Sequence, residues 1–227
     1  VPTKLDSNSD GTIVVAALDE SDGSIWLSRD SGLTWNISLS VEQNWTCVSI
    51  SDDGTRLIAG ASSGNNGIYV SDDSGGTWTM SNASASGLSP YVDCIISGDG
   101  SVLYAIYDFG LHKSFDMGVS WSSLSDQLSS NFLSSIATTI NGSTVVATEM
   151  SGSNSSDLVY VSNDFGVSWT NSSSENVYLN YGKAVAVTAD GSGILATGSG
   201  FPSFVYTTSP APVDRATVPI CSGTHNP

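Results

Sequence analysis

Residues 28–35 read SRDSGLTW, and the same skeleton returns as SDDSGGTW at 71–78, SFDMGVSW at 114–121 and SNDFGVSW at 162–169. Each octet places serine first, aspartate third, glycine fifth, a hydroxyl residue seventh and tryptophan eighth. The positions are Ser28, Asp30, Gly32 and Trp35; Ser71, Asp73, Gly75 and Trp78; Ser114, Asp116, Gly118 and Trp121; Ser162, Asp164, Gly166 and Trp169. The opening serines lie 43, 43 and 48 residues apart. A pattern recurring every 40 to 50 residues or so is architecture before it is chemistry, because that length makes a four-stranded unit stacked on copies of itself.

A second landmark runs in phase with the first: SDGT at 9–12, DDGT at 52–55, GDGS at 98–101, INGS at 140–143 and ADGS at 189–192. Asp-Gly or Asn-Gly between β-rich runs signals a hairpin, since both residues tolerate the positive φ of a tight turn. The runs before the turns are TCVSIS (46–51), DCIIS (93–97), SSIATT (134–139) and KAVAVT (183–188). Those after them are TIVVAAL (12–18), RLIAGAS (56–62), SVLYAIY (101–107), STVVATE (143–149) and GILATGS (193–199). A third strand reads SIWLS (24–28), GIYVS (67–71), LHKS (111–114), LVYVS (158–162) and, with no octet after it, SFVYTT (203–208). The octet then turns the chain into a fourth strand. No segment sustains a 3.6-residue apolar period.

The octets resemble the Asp-box, or bacterial neuraminidase repeat, of sialidases, sortilin-type receptors, some glycoside hydrolases and photosystem assembly factors. The resemblance covers residues 1–209 and implies an all-β, five-bladed β-propeller of four-stranded antiparallel blades with Asp-box hairpins. The blades would be about 1–40, 41–86, 87–128, 129–176 and 177 onward, and a proline-rich C-terminal tail would occupy 210–227. Val1 would then stand at the start of an inner strand. A closed ring is the first expectation and an excised part of a longer array the alternative. The resemblance also implies that Asp30, Asp73, Asp116 and Asp164 are structural, neither catalytic nor metal ligands.

Lysine and arginine total 6 against 22 acids, a formal charge of -16, which disfavours nucleic acid and anionic lipid as partners. No apolar run reaches the length of a membrane span, so no membrane insertion is expected. A polar surface rich in serine, threonine, asparagine and glycine, with Val1 in place of a methionine, suggests a mature secreted, extracellular protein.

Cys47, Cys94 and Cys221 fit no metal spacing; in an oxidising compartment they allow one disulfide and one leftover thiol, with the pairing open. Asp6, Asn8 and Asp10 in DSNSDG match the start of a calcium loop, but its twelfth position is Ala17, and a plain turn is preferred. No cofactor is expected. Sequons stand at Asn36, Asn44, Asn82, Asn141, Asn154 and Asn171. The three arginines, Arg29, Arg56 and Arg215, are too scattered to make the carboxylate-binding cluster of a sialidase. A glycosidase needs two facing carboxylates; Asp6, Asp93 and Asp108 are the candidates, with solvated acids the blander reading. Trp26 and Trp45 are expected in the core, whereas Tyr107, Phe109 and Tyr181 are the aromatics a lectin would expose.

The tail replaces a fifth octet. Residues 216–220 either supply the last outer strand or dock on a neighbour, with Cys221 locking the junction. Together these readings point to a structural or adhesive module without catalytic residues, associating with itself, other extracellular proteins or glycans; a lectin and a glycoside hydrolase are the alternatives.

Overall fold

The computed structural model describes residues 2–18, 23–41, 43–62, 67–81, 93–107, 110–124, 128, 133–149, 158–171 and 182–198. These contain strands and turns and no helix. The first sheet is β1 (Pro2–Ser7), β2 (Val14–Leu18), β3 (Ile25–Ser28) and β4 (Asn36–Leu39). The second is β5 (Trp45–Ile50), β6 (Leu57–Ala61), β7 (Ile68–Ser71) and β8 (Thr79–Met80). The third is β9 (Asp93–Ile96), β10 (Leu103–Tyr107), β11 (Gly110–Ser114) and β12 (Ser122–Ser123). The fourth is β13 (Leu133–Thr138), β14 (Val145–Glu149), β15 (Val159–Ser162) and β16 (Thr170–Asn171), and β17 (Gly182–Val187) pairs with β18 (Ile194–Gly198). Every sheet is an antiparallel meander in chain order. The expected third strand at 203–208 and the tail lie outside the described residues.

Strand character follows position. β6 and β10 are buried along their whole length, because a neighbouring sheet covers each face. They read LIAGA and LYAIY, without the polar alternation of a one-sided strand. The apolar clusters accordingly lie between successive sheets. Val15, Ile25 and Leu27 meet Trp45, Val48, Ile50 and Leu57; Ile58, Ile68 and Val70 meet Ile96, Leu103 and Tyr107.

The register of β5 against β6 slips between Trp45 and Cys47. Strict alternation would put those two residues on one face; the bulge separates them. Trp45 joins Val48 and Ile50 against the first sheet, where it meets Tyr69 edge-on, while Cys47 faces the third. Corresponding slips occur in β1, β13 and β17.

Candidate functional site

The octets form one repeated hydrogen-bonded turn. In the first, Ser28 Oγ donates to Asp30 Oδ1 (2.8 Å) and accepts from Gly32 N (2.8 Å), while Asp30 accepts Thr34 N (2.8 Å) and Thr34 Oγ1 (2.6 Å). Asp73, Asp116 and Asp164 repeat this with Thr77, Ser120 and Ser168. The glycines take φ from 77° to 86°, and the residues before them, Ser31, Ser74, Met117 and Phe165, are also left-handed. Glycine meets that backbone demand without strain. Hydroxyl and amide donors from the seventh residue hold the Asp30, Asp116 and Asp164 carboxyls at about 2, and Asp73, whose first donor is the Thr77 amide, matches them.

The tryptophans divide into two kinds. Trp78 Nε1 donates to Ser38 Oγ (2.9 Å) on the preceding sheet, and Ser38 Oγ donates to Gly75 O (2.7 Å). Trp121, Ser81 and Gly118 repeat that relay across the next seam. At the third seam Leu124 replaces serine against Gly166. Trp169 Nε1 there turns back to Gly166 O (3.1 Å), as Trp35 does to Gly32 O (3.0 Å).

Three of the cations bond across the same seams. Arg29 donates to Ser74 O (2.6 Å), Arg56 to Gly100 O (2.8 Å) and Lys113 to Phe165 O (2.6 Å). Tyr104 Oη adds a bond to Gly142 O (2.9 Å). Arg29 and Arg56 thus serve separate seams and share no pocket; Arg215 lies outside the described residues.

Two of the carboxylates singled out above, Asp6 and Asp93, lie on inner strands and bond to neighbouring sheets. Each inner strand presents an unpaired edge whose amides need acceptors. Asp6 Oδ2 accepts Ser49 Oγ (2.8 Å) and Ile50 N (3.0 Å) of the second sheet, and Asp93 Oδ2 accepts Ile136 N (3.2 Å) of the fourth. Asp93 Oδ1 accepts Lys4 Nζ (3.3 Å), an ion pair from the first sheet to the third. Asp93 is only 5% exposed, so it is no solvated acid. Burial raises both carboxyls above their ordinary range, opposed at Asp6 chiefly by the Ile50 amide and at Asp93 by Lys4. Asp108 lies outside the described residues.

Asp6, Asn8 and Asp10 do not converge. Asn8 is buried with Oδ1 on Ile13 N (2.9 Å), and Asp10 Oδ1 accepts Thr12 N (2.9 Å) and Thr12 Oγ1 (2.6 Å). The weak calcium candidate is therefore corrected: its oxygens close a turn and cap a neighbouring strand. Cys47 and Cys94 form a disulfide between β5 and β9, with Cα atoms 5.6 Å apart; Cys221 lies outside the described residues. Tyr107 is also corrected as an exposed aromatic: it is 5% exposed and stacks on His112, ring centroids 3.9 Å apart. Phe109 and Tyr181 are outside the described residues. Trp45 is in the core as expected, and half-buried Trp26 donates Nε1 to Ser24 Oγ (2.8 Å).

Among the sequons, Asn36, Asn44 and Asn141 are exposed and Asn171 is half-buried; Asn82 and Asn154 lie outside the described residues. Two surface clefts are small. One of about 210 Å³ is lined by Arg29, Asp30, Thr34, Asn36, Ser38 and Gly75; the other, about 250 Å³, lies between Thr139, Asn141, Ser143 and Asp190.

No protein-family description matches the chain, and no curated protein does. Solved structures do. An ancestral GH74 enzyme superposes with a TM-score of 0.67 at 12% identity, covering 87% of this chain and 29% of that one. The GH74 xyloglucanase from Xanthomonas campestris gives 0.63 at 18%, covering 85% and 34%. A chain of a nidogen/laminin complex gives 0.64 at 14%, covering 87% and 72%. The fold is a β-propeller. The chain spans about a third of the length of the two glycoside hydrolases, and identities this low speak to fold alone. They overturn one expectation: the absence of catalytic function cannot be inferred from this architecture, because enzymes are among the structures that share it.

Proposed function

We propose that the chain is a five-bladed propeller whose octets are Asp-boxes, and that it serves as a secreted structural or adhesive module contacting copies of itself, other extracellular proteins or glycans. The observation that carries this is the use of polar chemistry. Arg29, Arg56, Lys113, Asp6 and Asp93 all join one sheet to another, and Cys47–Cys94 adds a covalent tie of the kind that persists in oxidising compartments. A superposable chain from a nidogen/laminin complex supports a role in protein assembly. The test is particle size, by electron microscopy under non-reducing conditions, of the intact chain and of one truncated after Ser209. Assemblies that vanish on truncation support the reading, and compact monomers in both remove self-association.

Glycoside hydrolysis is the second reading. It is favoured by two carboxyls on inner strands with pKa raised by burial, the property of a proton donor, and by the GH74 neighbours. Release of reducing ends from xyloglucan, abolished in Asp93→Asn with the fold intact, would support it; no release from xyloglucan or related β-glucans would remove it.

A further inference from the structure

Four of the five inner turns carry aspartate at the same place. Asp10, Asp53, Asp99 and Asp190 each use Oδ1 to accept the amide and hydroxyl of the residue two places on. The fourth turn has Asn141 instead. Its Oδ1 accepts Ser143 Oγ (2.8 Å), Thr139 Oγ1 (3.0 Å) and Ser143 N (3.1 Å). The three side-chain bonds of Asn141 all fall on that one oxygen, beside backbone bonds such as Gly142 N to Thr139 O (3.0 Å), so an amino group in place of the second carboxylate oxygen leaves the turn intact. Asn141 is exposed, and Nδ2 makes no hydrogen bond among the described residues.

Asn141 also begins the tripeptide Asn-Gly-Ser, whose hydroxyl, Ser143 Oγ, is already bonded to the Asn141 side chain. We propose that Asn141 is a site of N-linked glycosylation, held ready by its own turn. The other described sequons are less well placed. The hydroxyl after Asn36 is Ser38, engaged by Gly75 O and Trp78 Nε1 in a seam. Asn171 is half-buried and paired with Tyr160 in the ladder. After Asn44, Thr46 Oγ1 donates to Gly60 O (3.2 Å).

In the transfer, Nδ2 forms a bond to the anomeric carbon of an oligosaccharide carried on a lipid pyrophosphate. The bond from that carbon to the pyrophosphate oxygen breaks, the lipid pyrophosphate leaves with the electron pair, and one Nδ2 proton passes to a base of the transferase. The sugar replaces a solvent-facing hydrogen, and Oδ1 keeps its three bonds.

The inference rests on the secretory reading above. Its test is the full chain, secreted from a glycosylating eukaryotic host, with thiols counted and the 141 peptide mapped after amidase release in heavy-oxygen water. Heavy-labelled aspartate at 141 supports the proposal. So does loss of one glycan from the intact mass in Asn141→Asp with the urea midpoint unchanged, since aspartate fills this place in the other four turns; Ser143→Ala loses the glycan too. An unmodified Asn141 in a disulfide-bonded secreted chain overturns the proposal while leaving the secretory reading standing. Aspartate present before amidase treatment marks deamidation and overturns it equally. Three free thiols would remove both readings.

Discussion

Ser38→Ala isolates what the seam relay contributes. Ser38 Oγ donates to Gly75 O and accepts from Trp78 Nε1, so the substitution deletes two hydrogen bonds. If both partners were stranded, the loss would be about 2–3 kcal/mol, roughly 1 kcal/mol for each bond plus partial desolvation of two half-buried groups. The molecule carries its own counter-example. Where Leu124 stands in place of serine, Trp169 Nε1 bonds to its own octet carbonyl, Gly166 O, at 3.1 Å. Without the serine, Trp78 Nε1 and Gly75 O have the same option: one bond replaces two, and the expected loss is about 1 kcal/mol. Equilibrium urea denaturation with the disulfide intact measures it, and exchange of the Trp78 indole N–H reports whether the proton is still bonded. Ser81→Ala should match it and the two should add, since they sit in different seams. A loss of 3 kcal/mol or so with rapid indole exchange would refute the swing-back, because it is the result expected of two orphaned groups. No measurable loss would refute the view that the relay joins the sheets.

Reducing the Cys47–Cys94 disulfide, which closes a separation of 47 residues, should lower stability by about 4 kcal/mol on loop-entropy grounds; an unchanged urea midpoint in dithiothreitol would contradict that. Stability should fall as pH drops from about 4 toward 2. Asp30, Asp73, Asp116, Asp164 and Asp190 are held at about 2 in the fold against 3.8 in the unfolded chain, so their contribution is present above 3.8 and lost on acidification. Asp6 and Asp93 act oppositely, with raised folded values whose contribution is full below 3.8 and lost as pH rises through the folded pKa. A thermal midpoint flat through the acid window would refute the first assignment. Lys4→Met should cost about 1–2 kcal/mol at neutral pH, a buried-pair penalty reduced because Lys4 is half exposed, and less once Asp93 is protonated; an equal deficit at both pH values would show that the charge is not the cause.

What could be read from the sequence was local. The octets and the five turns announce themselves because each is closed by bonds spanning two to five residues, and side chains so close together leave a fixed spacing in the sequence. The strands beside them follow from the turns. Asp6 and Asp93 look like surface acids in an acidic chain because what buries them comes from other repeats: Ile50 lies 44 residues from Asp6, and Ile136 lies 43 from Asp93. Cys47 and Cys94 could not be paired for the same reason. Tyr107 looked like a loop aromatic because it ends its strand, yet the sheet beside it covers the ring. One long-range signal was available: serine recurs in phase at 38 and 81, each 40 residues before the tryptophan it binds. It becomes leucine at 124 where the tryptophan turns away.

The Lys4–Asp93 pair constrains how the sheets stack. A linear pile keeps the first and third sheets apart by the full thickness of the second, and face-packed sheets sit about 10 Å from each neighbour. That leaves roughly 20 Å between them, more than a lysine side chain spans. Yet Lys4 Nζ reaches Asp93 Oδ1 at 3.3 Å while the second sheet still packs between its neighbours. Both conditions hold only if the sheets fan about an axis, with inner strands converging and outer strands spreading. The inner strands of the first four sheets are also where the polar capping side chains sit, because convergence brings Asp6 to the Ile50 amide and Asp93 to the Ile136 amide. The outer margin has the opposite problem, a widening gap, and there Trp78 and Trp121 lean on the preceding sheet through Ser38 and Ser81. The acids at the axis and the tryptophans at the rim thus answer the same geometry. Substituting Lys4 should therefore loosen the inner strands before the rim, with exchange rising first at the Ile50 and Ile136 amides and later at the Trp78 indole. Faster exchange at the indole than at those amides would show that the rim, not the axis, sets the curvature.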